Sequence, residues 1–356
     1  MTDTGERPPA PTDEAGPART PLDTATVRGD PVSRETGSID DHFDTPIGRE
    51  ARQAVEVRNI RQETWPRPER TRVITVANQK GGVGKTTTTV NVAAALAQHG
   101  LRVLVIDLDP QGNASTALGI EHSVGSPSVY DVLLGGKSLA ETRSVSPEIG
   151  DRLTCVPATI DLAGADIELT AAVAREFRVR RALDTLLESA DPDERLDYVF
   201  IDCPPSLGLL TLNALVAGRE LLIPIQCEYY ALEGLAQLLN TVELVKAHLN
   251  PELEVSTVLL TMYDSRTRLA DQVATEVRTH FGDVVVEAVI PRNVRVSEAP
   301  GFGQTVMTYD PGSRGAVGYL QAAREIAGRA RPTTHDAPGG HDRAQQHDQN
   351  GNEGER

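Results

Sequence analysis

The chain has 356 residues, enough for one large α/β domain or two small ones. Its 35 Lys and Arg against 51 Asp and Glu leave a formal charge of −16, the opposite of a dedicated nucleic-acid binder, so any DNA contact has to come from a local basic patch. The three cysteines, Cys155, Cys203 and Cys227, never fall in a CxxC spacing, which argues against a zinc knuckle or a disulfide framework and for a reducing cytoplasm.

Residues 1–70 are rich in Pro, Gly and charged side chains and poor in apolar runs, so burial there cannot offset the entropy of ordering. Residues 331–356 have the same character, and both segments are expected to be disordered tails around one domain at 71–330. The N-terminus lacks the basic segment and apolar core of a signal peptide, and no apolar run approaches about 18 residues, so neither secretion nor a membrane span is expected. A weak helical period through Ile47, Ala51, Ala54 and Val55 spans residues 43–60, with a plain linker as the simpler reading. Trp65 is expected to cap the edge of the core. His335, His341 and His347, spaced among polar residues, read as solvent-exposed side chains.

From residue 71 onward, short β-branched runs alternate with longer helical patterns, the sign of βαβ units. The expected fold class is α/β, a doubly wound, mostly parallel sheet with helices on both faces. Strands are predicted at 71–77, 101–106, 152–156, 198–201, 221–225, 255–260 and 284–290, most of them continuous apolar runs. Helices are predicted at 86–99, 175–189, 207–217, 232–249, 269–281 and 315–329.

The first strand, a Gly-rich turn and a helix start coincide in ITVANQKGGVGKTTTTV, the context that a P-loop requires. Gly81, Gly82 and Gly84 permit backbone conformations closed to other residues, so successive N–H groups of the loop, Val83 included, can turn toward phosphate oxygens. Lys85 is placed to reach the β and γ phosphates and the hydroxyl of Thr86 to take a position on Mg²⁺, with Thr87 also at the nucleotide and the helix opening at Thr86 adding its dipole. The common pattern has Gly at the position of Gln79, and here an additional lysine, Lys80, follows it. In IDLDPQGNAS, Asp107 and Asp109 lie where a doubly wound sheet keeps its ligands, at the carboxyl end of a strand, although two acids capping a turn are an open alternative. YVFIDCPP looks like a Walker B strand delivering Asp202 to the metal, with Cys203 a packed thiol.

Six blocks now resemble one family across residues 71 to about 329: NQKGGVGKTTT, DLDPQGNAS, PATIDLAGADIEL, IDCPPSLGLLTLNAL, QCEYYALEG and IPRNVRVSEAP. They are similar to the ParA/Soj-type chromosome-partitioning ATPases, the deviant Walker A branch of the P-loop proteins that also holds MinD. The resemblance implies ATP and Mg²⁺ as cofactors and an ATP-dependent sandwich homodimer on nonspecific double-stranded DNA. It further implies a ParB-type centromere-binding partner that stimulates hydrolysis and release, and a cytoplasmic, nucleoid-associated location. By the same likeness, Lys80 acts like an arginine finger across the dimer, Asp109 positions the attacking water, and Asp107 joins the Mg²⁺ shell. Pro204 and Pro205 stiffen a switch that senses the γ phosphate. Pro291 and Asn293 border the adenine, and Arg266 and Arg295 hold DNA phosphates. Without the family, an Asn in a turn and two solvated arginines are the plainer readings. The N-terminal tail is left for a polar scaffold. Two competing functions remain: a MinD-like membrane-cycling ATPase, which needs a C-terminal amphipathic helix that 331–356 lacks, and a non-enzymatic nucleotide-gated scaffold.

Overall fold

The computed structural model describes residue 55 and residues 57–229 and 233–329. The expectations for residues 1–54 and 56 and for the tail 331–356, with its three histidines and most of the 43–60 period, lie outside the described residues.

Eight strands form one sheet in the order β3-β4-β2-β5-β1-β6-β7-β8. They are β1 (Arg72–Val76), β2 (Val103–Asp107), β3 (Ser144–Ser146), β4 (Gly150–Val156), β5 (Tyr198–Asp202), β6 (Glu220–Gln226), β7 (Glu254–Tyr263) and β8 (Val285–Pro291). All neighbours are parallel except β3, which pairs antiparallel with β4. The two central strands VLVID and YVFID are buried along their whole length, as strands covered on both faces must be. Alternate side chains divide between two cores, Val73, Leu104 and Ile106 on one face and Ile74, Val103 and Val105 on the other.

Parallel neighbours need crossover connections, and helices supply them on both faces. On the first face lie α3 (Arg178–Glu188), α4 (Leu209–Ala217), α5 (Glu233–His248) and α6 (Arg268–Phe281), inserting Leu183, Leu215, Leu238 and Val277. On the second lie α1 (Lys85–Gln98) and α8 (Arg314–Gly328), whose alanine-rich faces, Ala93 to Ala95 and Ala322 with Ala323, permit close packing. Two short helices, α2 (Asn113–Ala117) and α7 (Val294–Glu298), sit beside the carboxyl ends of β2 and β8. Because β1 continues to β2 across the position of β5, the sheet has its topological switch at the carboxyl end of β1, where such folds open a crevice.

Two expectations are corrected. The edge strand β3 has no predicted counterpart: SVS is three residues long and mostly exposed, too short for a period to show. Helical and packed residues are also present before residue 71. Residues 57–62 are helical, and Ile60 and Trp65 are 1% and 4% exposed in the α1 and α8 core. The indole stacks on the His99 ring at 3.7 Å and 5°. Glu63 pairs with Arg324 at 2.7 Å, and Arg67 with Asp197 at 2.9 Å. Composition averaged over the segment concealed one aliphatic and one aromatic anchor. Trp65 at the edge of the core is as expected.

At the outer edge of the sheet, both Glu325 oxygens accept from the backbone of β8, from Glu287 N at 2.7 Å and Ala288 N at 2.8 Å. No helix among the described residues is long and apolar enough to cross a membrane.

Candidate functional site

The crevice at the end of β1 is a cleft of about 750 Å³. Its floor is the loop between β1 and α1. Asn78 pins the loop's entrance, donating from Nδ2 to Pro224 O at 2.8 Å and accepting from Lys80 N at 3.0 Å. Gly82 and Gly84 have φ of 75° and 88°, left-handed values that cost glycine little and other residues more. Thr261 Oγ1 on β7 donates to Val83 O at 2.8 Å, clamping the loop from the far side. Gly84 occupies the N-cap of α1 without a side-chain cap, so the first N–H groups and the positive dipole end of the helix are left for an anion. Lys85 is buried, with Nζ donating to Lys80 O at 3.3 Å. Burial lowers its pKa, while the charge of Asp202 works to restore it.

Beside the loop's entrance, Asp107 and Asp202 end neighbouring strands in register, Asp202 next to Val76 of β1. Both are fully buried, yet their hydrogen bonding differs. Asp107 accepts from Asp109 N at 3.1 Å, Ser115 N at 2.9 Å and Ser115 Oγ at 2.7 Å. Asp202 accepts from Thr89 Oγ1 at 3.0 Å through Oδ1, whereas its Oδ2 is buried with no hydrogen-bond partner among the described residues. Burial, the largest cause for each, pushes both pKa values above the ordinary carboxylate range; the charge of Asp107 adds to the shift of Asp202, while the hydrogen bonds from Ser115 and Asp109 N oppose that of Asp107. A desolvated carboxylate pair with an orphan oxygen suits a cation.

Of the residues singled out in the sequence, Gly81, Gly82, Gly84, Lys85, Thr86, Thr87, Asp109, Pro291 and Asn293 line the cleft together. Val83 turns its side chain into the core. Lys80, Asp107 and Asp202 are not among the lining residues; Lys80 Nζ is paired with Glu228 at 3.2 Å. Asn293 caps α7, its Oδ1 accepting from Arg295 N at 2.8 Å, while the residue also lines the cleft. Arg266 and Arg295 lie outside the cleft lining and are exposed. Each is neutralised locally: Arg266 grips Asp264 with two bonds of 2.9 and 2.8 Å, and Arg295 meets Glu298 at 2.9 Å and Asp310 at 3.4 Å. The Arg266 hydrogen bonds hold the Asp264 carboxyl down at about 2.

Several site residues were not singled out in the sequence. Ser115 and Thr89, which hold the two buried carboxyls, sat unremarked inside the quoted DLDPQGNAS block and the threonine run 86–89. Met262 and Tyr319 line the cleft from β7 and α8, distant in sequence from any motif. Met262 has φ 51°, an uncommon value for a non-glycine residue, beside the register shift between β7 and β8.

A family model described as an AAA domain matches residues 71–255. The sporulation initiation inhibitor protein Soj of Bacillus subtilis is 53% identical over 256 residues, 72% of this chain and 98% of that protein. The chromosome partitioning protein ParA of Caulobacter vibrioides is 51% identical over 260 residues, 73% of this chain and 95% of that protein. Among solved structures, a Mycobacterium smegmatis protein described as cobyrinic acid a,c-diamide synthase with bound ATP analog and magnesium is 39% identical, with TM-score 0.60. The match covers 74% of this chain and 98% of that one. The septum site-determining protein MinD of Pyrococcus horikoshii, complexed with Mg-ADP, is 25% identical with TM-score 0.56, covering 72% and 96% of the two chains.

Proposed function

Because the chain belongs to the ParA/Soj family of chromosome-partitioning P-loop ATPases, we propose that it partitions DNA by an ATP-gated cycle of pairing, DNA binding and release. The observation that carries this reading is the cradle at the end of β1. Left-handed Gly82 and Gly84, an uncapped helix start and a buried Lys85 converge on one cleft, beside a buried carboxylate pair. The synthase described for the Mycobacterium smegmatis structure weighs less, at 39% identity against 53% for the partitioning relative.

ATP and Mg²⁺ are the ligands this site suits. The backbone N–H groups of the loop and Lys85 Nζ bind the β and γ phosphates. Thr86 and the orphan oxygen of Asp202 would hold the magnesium, with Asp107 behind them. When bound, magnesium would supply charge that neutralises the phosphates. Asp109, at the cleft wall, orients the water that attacks the γ phosphorus as the bond to ADP breaks. Pro291 and Asn293 border the base. Lys80 acts on the terminal phosphate held by a second copy, which makes hydrolysis depend on pairing. Arg266 and Arg295 exchange their carboxylate partners for DNA phosphates, a contact blind to sequence. A ParB-type partner stimulates hydrolysis, and the protein works in the cytoplasm on the nucleoid.

DNA retention tests the cycle. Capture on nonspecific duplex is expected with ATP and not with ADP, and ATPase activity is expected to rise with DNA and the centromere-binding partner together. Equal retention with both nucleotides over a range of salt would sink the reading.

A further inference from the structure

The block QCEYYALEG is part of the family likeness, yet none of its residues has been given a task. Its acid, Glu228, follows β6 and stands between two cations. Oε2 accepts from Lys80 Nζ at 3.2 Å, and Oε1 accepts from Arg292 Nη2 at 3.2 Å. Gln226 Nε2 also donates to Oε1. The three charged side chains are 35% (Lys80), 42% (Glu228) and 59% (Arg292) exposed, so none is locked in the core. Arg292 lines the nucleotide cleft. One carboxylate thus occupies both the additional lysine of the P-loop and a cation of the cleft.

We propose that Glu228 is a counter-ion lock, a positioning residue that withholds Lys80 and Arg292 from the triphosphate until the nucleotide displaces it. This deepens the proposed function, resting on Lys80 acting at a terminal phosphate. A triphosphate offers more charge than one carboxylate, on several oxygens at once, so the one in the chain's own cleft wins Arg292 and the one held by the paired copy wins Lys80. ADP lacks the terminal group and competes less well. Exposed ion pairs are individually weak, as a lock that opens in every cycle has to be. Holding Lys80 in the closed arrangement lowers apparent affinity by the fraction of chains that are open.

The test uses the full chain and two titrations, a non-hydrolysable ATP analogue with Mg²⁺ and ADP with Mg²⁺, with light scattering to read pairing. In Glu228→Gln the analogue concentration for half-maximal pairing is expected to fall by roughly three- to tenfold, with ADP affinity moving less than about twofold. Glu228→Asp keeps the charge but withdraws it by one methylene and is expected to fall between. In a Lys80→Ala background, Glu228→Gln is expected to lose most of its effect on analogue binding. An unchanged or higher pairing concentration, or an equal shift for ADP and analogue, overturns the lock. If the unsubstituted chain stays single with the analogue, the pairing cycle itself falls and takes the lock with it; if it pairs and Glu228→Gln does not shift, the lock alone falls.

Discussion

At the scale of single residues, the site is built from groups made costly in order to be useful. Asp107 and Asp202 are buried side by side with pKa values raised by desolvation, so the folded chain favours a proton that the unfolded chain does not hold above about pH 4. For a raised carboxyl, stability is fully present below the unfolded pKa and is lost as pH rises through the folded one. The ligand-free chain is therefore expected to lose stability as pH climbs from about 4 toward neutrality. Asp202→Asn is expected to flatten that slope and to raise Tm at pH 8 without ligand, while abolishing ATPase activity. Thermal melts across pH check this; an unaltered slope would remove the pair as its cause. Much of this residue scale was legible in the sequence. GKT and DLDP pointed to Lys85, Thr86 and Asp109, which line the cleft, and IDCPP to Asp202, buried at the end of β5, because a motif fixes residue type at fixed spacing. Ser115 and Thr89 were harder to see, since a hydroxyl serves equally as cap, surface or ligand until its partner is known.

At the scale of elements, the strands and helices with strong periods lie within a few residues of expectation, because continuous apolar runs and alanine-rich faces dictate burial. What the period does not encode is how close two elements come. Gly315 on α8 is such a contact: a Cβ there would sit 2.3 Å from Val296 Cγ2 and 3.2 Å from Asn293 Cβ. Gly315→Ala is expected to push α7 and its capping Asn293 off the cleft wall and to cost about 1–3 kcal/mol. If Asn293 borders the base as proposed, nucleotide affinity is expected to fall with it, by about tenfold. Isothermal titration beside a melting curve reads both, and an unaltered Kd would detach α7 from base binding. The helix 57–62 and the strand β3 were illegible for a different reason. Each is a few residues long and takes its stability from the surface it lies on, so no local pattern announces it.

At the scale of the whole molecule, the ATPase unit extends upstream of the first strand. Ile60 and Trp65 are nearly fully buried, and the Trp65 ring lies on His99 at the end of the helix that begins at the P-loop. Removal of residues 1–54 is expected to leave Tm and ATPase activity within experimental scatter, whereas Trp65→Ala is expected to cost about 3–5 kcal/mol. Chemical denaturation of both variants decides it; a Trp65→Ala chain as stable as its parent would show that the segment 57–68 merely rests on the core. The acidic balance of the chain belongs to this scale as well. At −16, contact with a polyanion depends on arginines that can be spared from local carboxylates, and Arg266 and Arg295 are spent on such partners in the single chain.

The placement of Glu325 has a further consequence for crowds of this protein. By corking two backbone donors on the last strand, it denies an incoming polypeptide the template on which ribbons grow, while at the opposite rim only a three-residue strand is on offer. With one rim partly corked and the other short, the sheet offers little to a second copy, and contact between neighbours falls to loops and helices, which can let go.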